Sequence, residues 1–319
     1  ETTGKVSDVW RVIQMNGTAE YEILKGLKFK GMLGYYYAYN ELDNQEFTYE
    51  LYGYDEQKDN YYVTNRMSNP YRERNREKVE DQFSNFQLNF DRKFGKHAVV
   101  AVAGFEASQR KRPKMWIHST PVSNAMDLIR LKEIQEFNDD GNRTEARMGY
   151  LGRINYSYAD KYLVELIARW DGSWKFRPDN RWGFFPSASL GWRVSEENFW
   201  KESKIGEIVT NLKLRGSYGE VGDDAVSDYS AFDYLPGYNY NSGGAVIDGN
   251  WVVGTSTRGL PNQTLSWMTA KILDIGVDLG FLNNRLNIQF DYFRRVRDGI
   301  PEPRYDVLIP NEAGFSLPK

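Results

Sequence analysis

The stretch from Arg147 to Arg193 most constrains what this chain can become, because its apolar residues recur at every second position through three successive runs. Met148, Tyr150, Ile154, Tyr156 and Tyr158 share one parity, with Arg147, Arg153, Asn155 and Ser157 on the other. Ala159-Asp160-Lys161 reads as a turn. Tyr162, Val164, Leu166, Ala168 and Trp170 then alternate with Glu165 and Arg169. After a polar loop, Trp182, Phe184, Ala188, Leu190 and Trp192 alternate with Gly183, Ser187, Ser189, Gly191 and Arg193. Side chains of a strand point alternately to opposite faces, so a period of two predicts strands. One face is apolar along its length and carries an aromatic residue near each end.

Spacing indicates what that face meets. Trp182 and Trp192 share a face ten residues apart, which is ~33 Å at ~3.3 Å per residue. Tilted by ~40°, such a strand rises ~25 Å, the height of the apolar band between the aromatic girdles of an outer-membrane barrel. A soluble sandwich also alternates. Its strands, however, usually run to about 5–6 residues, and it has no reason to place Trp at both ends of an apolar face. The pattern favours the membrane barrel.

The same stretch resembles a known family. GRINYSYADKYLVELIARWDGSWKFRPDNRWGFFPSASLGWRVSEENFW is similar to the mid-barrel signature of the SusC/RagA family of TonB-dependent outer-membrane transporters of Bacteroidetes. That signature has a G-R-x-N-Y-x-Y strand, a K/R-Y-L strand, an R-x-D-G-S loop, an N-R-W-G-x-F-P-S strand and a G-W-R-x-S-E-E turn. Leu212–Gly222, Leu260–Gly280 and Asn283–Arg297 continue it in the expected order. Trp170 and Trp174 depart from it, standing where the family more often has a polar and a small residue. The resemblance is specific over most of Arg147–Gly299 and extends to the earlier part only by pattern. It implies a plugged barrel energised by the TonB complex, importing an oligosaccharide or peptide beneath a SusD-like surface lipoprotein.

Composition agrees with this class. No apolar run approaches the ~20 residues of a transmembrane helix, and mean hydropathy is -0.66. Barrels pass unseen by that test because only alternate residues face lipid. The net charge of -3 argues against a nucleic-acid partner, which would draw on a basic surface. The absence of Cys removes a disulfide frame and a thiolate site. The chain starts at Glu1 and shows no signal peptide, TonB box, plug or terminal aromatic strand. The expectation is an internal piece, residues 1–319, of one larger barrel domain.

About ten strands are predicted: Arg11–Ile23, Leu27–Asn40, Val79–Phe94 and Ala98–Gln109, then the three above, then runs about Leu212–Tyr218, Trp267–Phe281 and Leu286–Tyr292. Their connections alternate short and long, as periplasmic turns and extracellular loops do. Turns at Lys25, Gly95, Asp160, Asn198–Asn211 and Asn284 face the periplasm on this reading. Glu41–Arg76, Arg112–Glu145, Asp171–Arg181, Gly222–Gln263 and the chain beyond Ile300 face outside. Within Arg112–Glu145 the three-residue spacing of Leu128, Leu131, Ile134 and Phe137 predicts a short helix over Asn124–Phe137. Arg153, Glu165, Arg169 and Asp274 are expected in the lumen. Tyr162, Leu166, Trp182, Leu190, Trp192, Leu214, Ile275 and Ile288 are expected in lipid. The fold class is thus all-β, an antiparallel transmembrane barrel segment of about ten strands out of ~22.

No catalytic set emerges. His97 and His118 stand alone, without a second ligand at metal spacing. Gly216-x-x-Gly219-x-x-Gly222 ends a strand with no helix after it, so it is no phosphate cradle. Asp223, Asp224 and Asp228 read as a solvated acidic loop before they read as a cation site. The chain is therefore read as a transporter segment without enzymatic activity, cofactor or metal. Flat aromatic faces beside amide groups suit sugar rings. That places substrate or lid contacts at Trp174, Tyr238, Tyr240 and Trp251, although any one of them taken singly reads first as loop packing. An extracellular β-rich adhesin or carbohydrate-binding module, or a passive porin, are the alternatives.

Overall fold

The computed structural model describes residues 3–68, 70–126, 129, 134–140, 144–225, 231–258 and 260–301. Among them, strands dominate. β1 (Gly4–Leu24), β2 (Leu27–Glu46), β5 (Tyr71–Phe94) and β6 (His97–Lys111) are followed by β9 (Thr144–Tyr158), β10 (Tyr162–Ser173), β11 (Trp182–Arg193) and β12 (Val209–Asp223), then by β15 (Met268–Phe281) and β16 (Leu286–Asp298). These ten form one sheet in the order just given, and wherever registers are described along it the pairs are antiparallel. They are the ten predicted strands, most of them longer at the ends.

Three further hairpins fill the long connections. β3 (Tyr49–Asp55) pairs with β4 (Asn60–Met67), and β13 (Tyr238–Ile247) pairs with β14 (Asn250–Thr257), each as a separate two-stranded sheet. β7 (Lys114–Ser119) pairs with β5 and with β8 (Ile134–Asp140). β8 overturns part of the predicted helix, because Ile134–Phe137 lie in a strand. Three-residue spacing of apolar residues is a weak helix signal when the neighbouring strand offers its edge. Asn124, the first residue of that stretch, accepts the Thr48 amide at its Oδ1 at 2.8 Å. Leu128 and Leu131 lie outside the described residues.

The chain divides into two compact units. Residues 1–18, 32–84 and 108–146 make one. Its strands are charged on both faces, as in Arg72-Glu73-Arg74-Asn75-Arg76-Glu77-Lys78 of β5. Ion pairs link Asp43 to Arg74 (3.3 Å) and Arg76 (2.9 Å), and Asp81 to Arg110 (2.7 Å). Arg72, 2% exposed, donates to the carbonyls of Glu46, Tyr71, Asn124 and Met126. Four acceptors satisfy a guanidinium that burial would otherwise make costly.

Residues 19–31, 85–107 and 147–319 make the other unit, and it is built inside out. Directly opposed residues share a face, so the register assigns the faces. One row runs Tyr158, Tyr162, Trp192, Leu214, Val277 and Phe290; the next runs Tyr156, Val164, Leu190, Gly216, Ile275 and Tyr292. This apolar face is exposed: Leu190 is 64% and Ile275 55% accessible. A soluble sheet would not leave such a continuous apolar surface bare, whereas a membrane-spanning one must. All eight residues expected in lipid lie on it. Arg153, Glu165, Arg169 and Asp274 lie on the opposite face.

That opposite face carries charge in pairs. Arg153 Nε donates to Glu165 at 2.8 Å. Arg215 reaches Asp274 (3.4 Å), Asp278 (3.1 Å) and Asp291 (2.5 Å) across three strands. Gly276, between them, keeps the space open: a Cβ there would lie 2.6 Å from the Arg215 guanidinium carbon and 2.3 Å from an Asp291 oxygen.

Short turns close one end of the sheet. At the β9–β10 turn Ala159 and Asp160 both have positive φ (53° and 58°), and the Lys161 amide donates to the Tyr158 carbonyl at 3.0 Å. Positive φ at both central residues matches the twist of the flanking strands. Between β11 and β12 the chain makes two short helices, α1 (Asn198–Lys201) and α2 (Lys204–Ile208). Glu197, just before α1, accepts from Lys161 Nζ (2.9 Å), Tyr162 Oη (2.7 Å) and Trp192 Nε1 (3.3 Å). The bonds from Lys161 and then Tyr162 hold its carboxyl down at about 2. Two girdle aromatics thus turn their polar ends to one carboxylate while their rings stay on the apolar face.

Candidate functional site

At the opposite end of the sheet, the Asp171–Arg181 and Gly222–Gln263 segments fold onto each other. Four of the eight buried apolar residues among those described lie here: Trp174 (8% exposed), Phe176 (1%), Phe185 (6%) and Leu265 (5%). Trp267 packs on Phe185 at 5.3 Å and on Phe176 at 5.6 Å between ring centres, and its Nε1 donates to the Arg181 carbonyl at 2.9 Å. Trp174 meets Phe232 edge-on at 5.4 Å, and Phe232 meets Tyr234 at 6.1 Å. Arg177 Nη1 donates to Gln263 Oε1 at 2.9 Å, and Gln263 Nε2 donates to the Tyr234 carbonyl at 3.0 Å.

A charged knot ties this platform to the sheet. Asp224 accepts from Arg147 at 2.6 Å and from Ser173 Oγ at 2.6 Å, while Lys175 Nζ donates to its carbonyl at 2.7 Å. Burial pushes the Asp224 carboxyl up, but the bonds from Arg147 and Ser173 outweigh it and leave it below the usual range. The acidic loop of the sequence is thereby resolved: Asp224 is a structural partner rather than a solvated carboxylate, Asp223 Oδ1 accepts the Ala225 amide at 2.8 Å, and Asp228 lies outside the described residues. His97 is likewise engaged, its Nδ1 2.8 Å from the Tyr156 hydroxyl.

The hairpin β13–β14 stands on this platform. Arg258, just after β14, donates to Asp233 at 2.8 Å, and its amide donates to the Gly237 carbonyl at 2.9 Å. The register aligns Tyr238 with Thr257, Tyr240 with Thr255, Gly244 with Val253 and Val246 with Trp251. One face of the hairpin therefore presents Tyr238, Tyr240, Val246, Trp251 and Val253. All five are exposed, Tyr240 at 82% and Trp251 at 65%. Of the four aromatics expected to contact substrate or lid, three stand together on this face and one, Trp174, is buried in the platform beneath. The hairpin lies within a segment that sequence alternation marks only as a loop. Its signal was the dipeptide Asp248-Gly249, with φ of 49° and 76°, the pair that a two-residue hairpin turn demands.

The TonB dependent receptor-like, beta-barrel family matches residues 10–315. The chain is 32% identical over 306 residues to TonB-dependent receptor P39 of Formosa agariphila, covering 92% of this chain and 26% of that protein. It is 40% identical over 153 residues to TonB-dependent receptor SusC of Bacteroides thetaiotaomicron, covering 47% of this chain and 15% of that one. The structure of the RagAB peptide transporter superposes with a TM-score of 0.78 over 99% of this chain and 33% of that chain, at 19% identity, which is a likeness of fold. The chain thus spans about a quarter of the P39 relative.

Proposed function

The chain belongs to the TonB-dependent receptor-like β-barrel family of the outer membrane, and from that premise we propose that it forms part of a SusC-like importer whose extracellular mouth includes the β13–β14 hairpin. The cargo is an oligosaccharide, or a peptide, taken up with energy from the TonB complex and enclosed by a SusD-like surface lipoprotein. The observation that carries this reading is the exposed face of Tyr238, Tyr240 and Trp251 on a platform held by buried aromatics. Flat apolar rings stack on a sugar face, while fixed amide and hydroxyl groups take its hydroxyls. On the same face Thr255 and Thr257, opposite Tyr240 and Tyr238, supply hydroxyls beside the rings, and the hairpin from Tyr238 to Thr257 carries Asp248 as its one charged residue. That near-neutral surface favours the oligosaccharide.

Growth on candidate nutrients tests the proposal. Trp251→Ala and Tyr238→Ala in the full-length protein are expected to weaken growth on the cognate nutrient while barrel assembly stays normal. A pull-down separates the roles: lid contacts lose the lipoprotein, whereas cargo contacts keep it and lose uptake. A double variant with wild-type lipoprotein binding and uptake would reduce these aromatics to loop packing.

A further inference from the structure

The lipid-facing surface carries a hollow. It has a volume of about 440 Å³, with Ala101, Ala103, Gly152 and Ala168 in its lining beside Leu27, Leu88, Phe90, Ile154 and Leu166. That volume falls within the ~300–1,000 Å³ of small-ligand sites. Its place in the register is specific. Gly152 opposes Ala168 across β9 and β10, and two residues on toward the extracellular end Tyr150 opposes Trp170. Phe105, two residues beyond Ala103, packs on Tyr150 at 5.3 Å; Tyr150 packs on Trp170 at 5.9 Å, and Trp170 on Trp182 at 4.8 Å. Three neighbouring strands thus each step from a small residue to an aromatic one, making a recess under an aromatic shelf. At the other end of the face, Tyr158, Tyr162 and Trp192 form the second girdle. The recess lies between the two aromatic levels, continuous with the surface that meets hydrocarbon.

We propose that this recess holds one acyl chain of an outer-leaflet lipid, so that the barrel carries a bound lipid at β6, β9 and β10. The aromatic shelf marks the interface level where ring edges meet headgroups, and the small side chains beneath it leave room for a chain to lie against the sheet instead of passing over it. An apolar chain gains by contact on several sides at once, because each atom pair at van der Waals distance adds a small attraction. The inference rests on the membrane placement of this face, and its test keeps the two apart.

The test uses the full-length transporter extracted in mild detergent and washed, with retained lipid counted per barrel by mass spectrometry. Wild type is expected to keep one lipid. A Cβ at Gly152 meets nothing within 4 Å, so Gly152→Phe fills the recess without disturbing the sheet and is expected to lower retention at least tenfold. Ala168→Leu provides a second, smaller filling, and Leu190→Phe, on the same face outside the recess, is expected to change nothing. Heat-modifiable migration reports that each barrel is folded. Quenching of tryptophan fluorescence by vesicles of phospholipid brominated in its acyl chains tests membrane exposure of the face independently. Retention that is absent in wild type, or undiminished in Gly152→Phe, overturns the proposal. So does a dimer in detergent that Gly152→Phe dissociates, since a second copy would then occupy the recess.

Discussion

Glu197 shows how much one carboxylate organises at the turn end of the sheet. It gathers a lysine from one turn and the polar ends of Tyr162 and Trp192. Its folded-state value near 2 lies below its ordinary 4.5. A carboxyl lowered by folding adds stability above its unfolded value, and the contribution drains as pH falls from about 4.5 toward about 2. The thermal midpoint of the full-length barrel is therefore expected to drop across that window, and Glu197→Gln is expected to flatten the drop. Equal slopes for the two proteins would remove Glu197 from the account. At this scale the sequence was most legible where one face is lipid: parity alone assigned Leu166, Leu190 and Ile275 outward, and Glu165 and Asp274 inward. It could not tell buried Trp174 from exposed Trp251, because both are aromatics in polar loops and only the fold of those loops separates them.

Elements were legible in proportion to how strongly the membrane patterned them. Strand signals fade where both faces are polar. β5 begins at Tyr71, yet alternation is visible only from Val79, because charged and polar residues occupy both faces over Arg72–Lys78. Turn chemistry gave a different kind of signal. Ala159 is the one non-glycine, non-Asx residue of its tight turn to take positive φ, a conformation that costs an ordinary L-residue about 1–2 kcal/mol. Ala159→Gly is expected to stabilise the full-length barrel by about 1 kcal/mol in reversible urea unfolding, and Ala159→Val to destabilise it by at least as much. A loss of stability in the glycine variant would show that the Ala159 methyl is held by a contact that outweighs its backbone strain.

On the scale of the molecule, the sheet path runs from β1 to β16, and among the described residues each of these strands is paired along one side only. Open edges in hydrocarbon leave peptide groups without partners, each a cost of several kcal/mol. The 319-residue segment by itself is therefore expected to give no monodisperse, heat-resistant barrel in detergent, whereas the full-length protein does. Recovery of such a barrel from the segment would show that its edges find each other. The ten-strand path also bears on how such a wall is made. Along the described part of the path, every strand pairs with the strand that precedes it once the loop hairpins β3–β4, β7–β8 and β13–β14 are set aside as side branches. Contacts of that kind lie close in sequence, and the entropy of closing a loop grows only slowly with its length. A growing edge can therefore accept one hairpin at a time, each arrival repairing the edge left by the last, with the long connections folding on their own schedule. The same topology confines the one slow, long-range step to the meeting of the first and last strands of the completed wall.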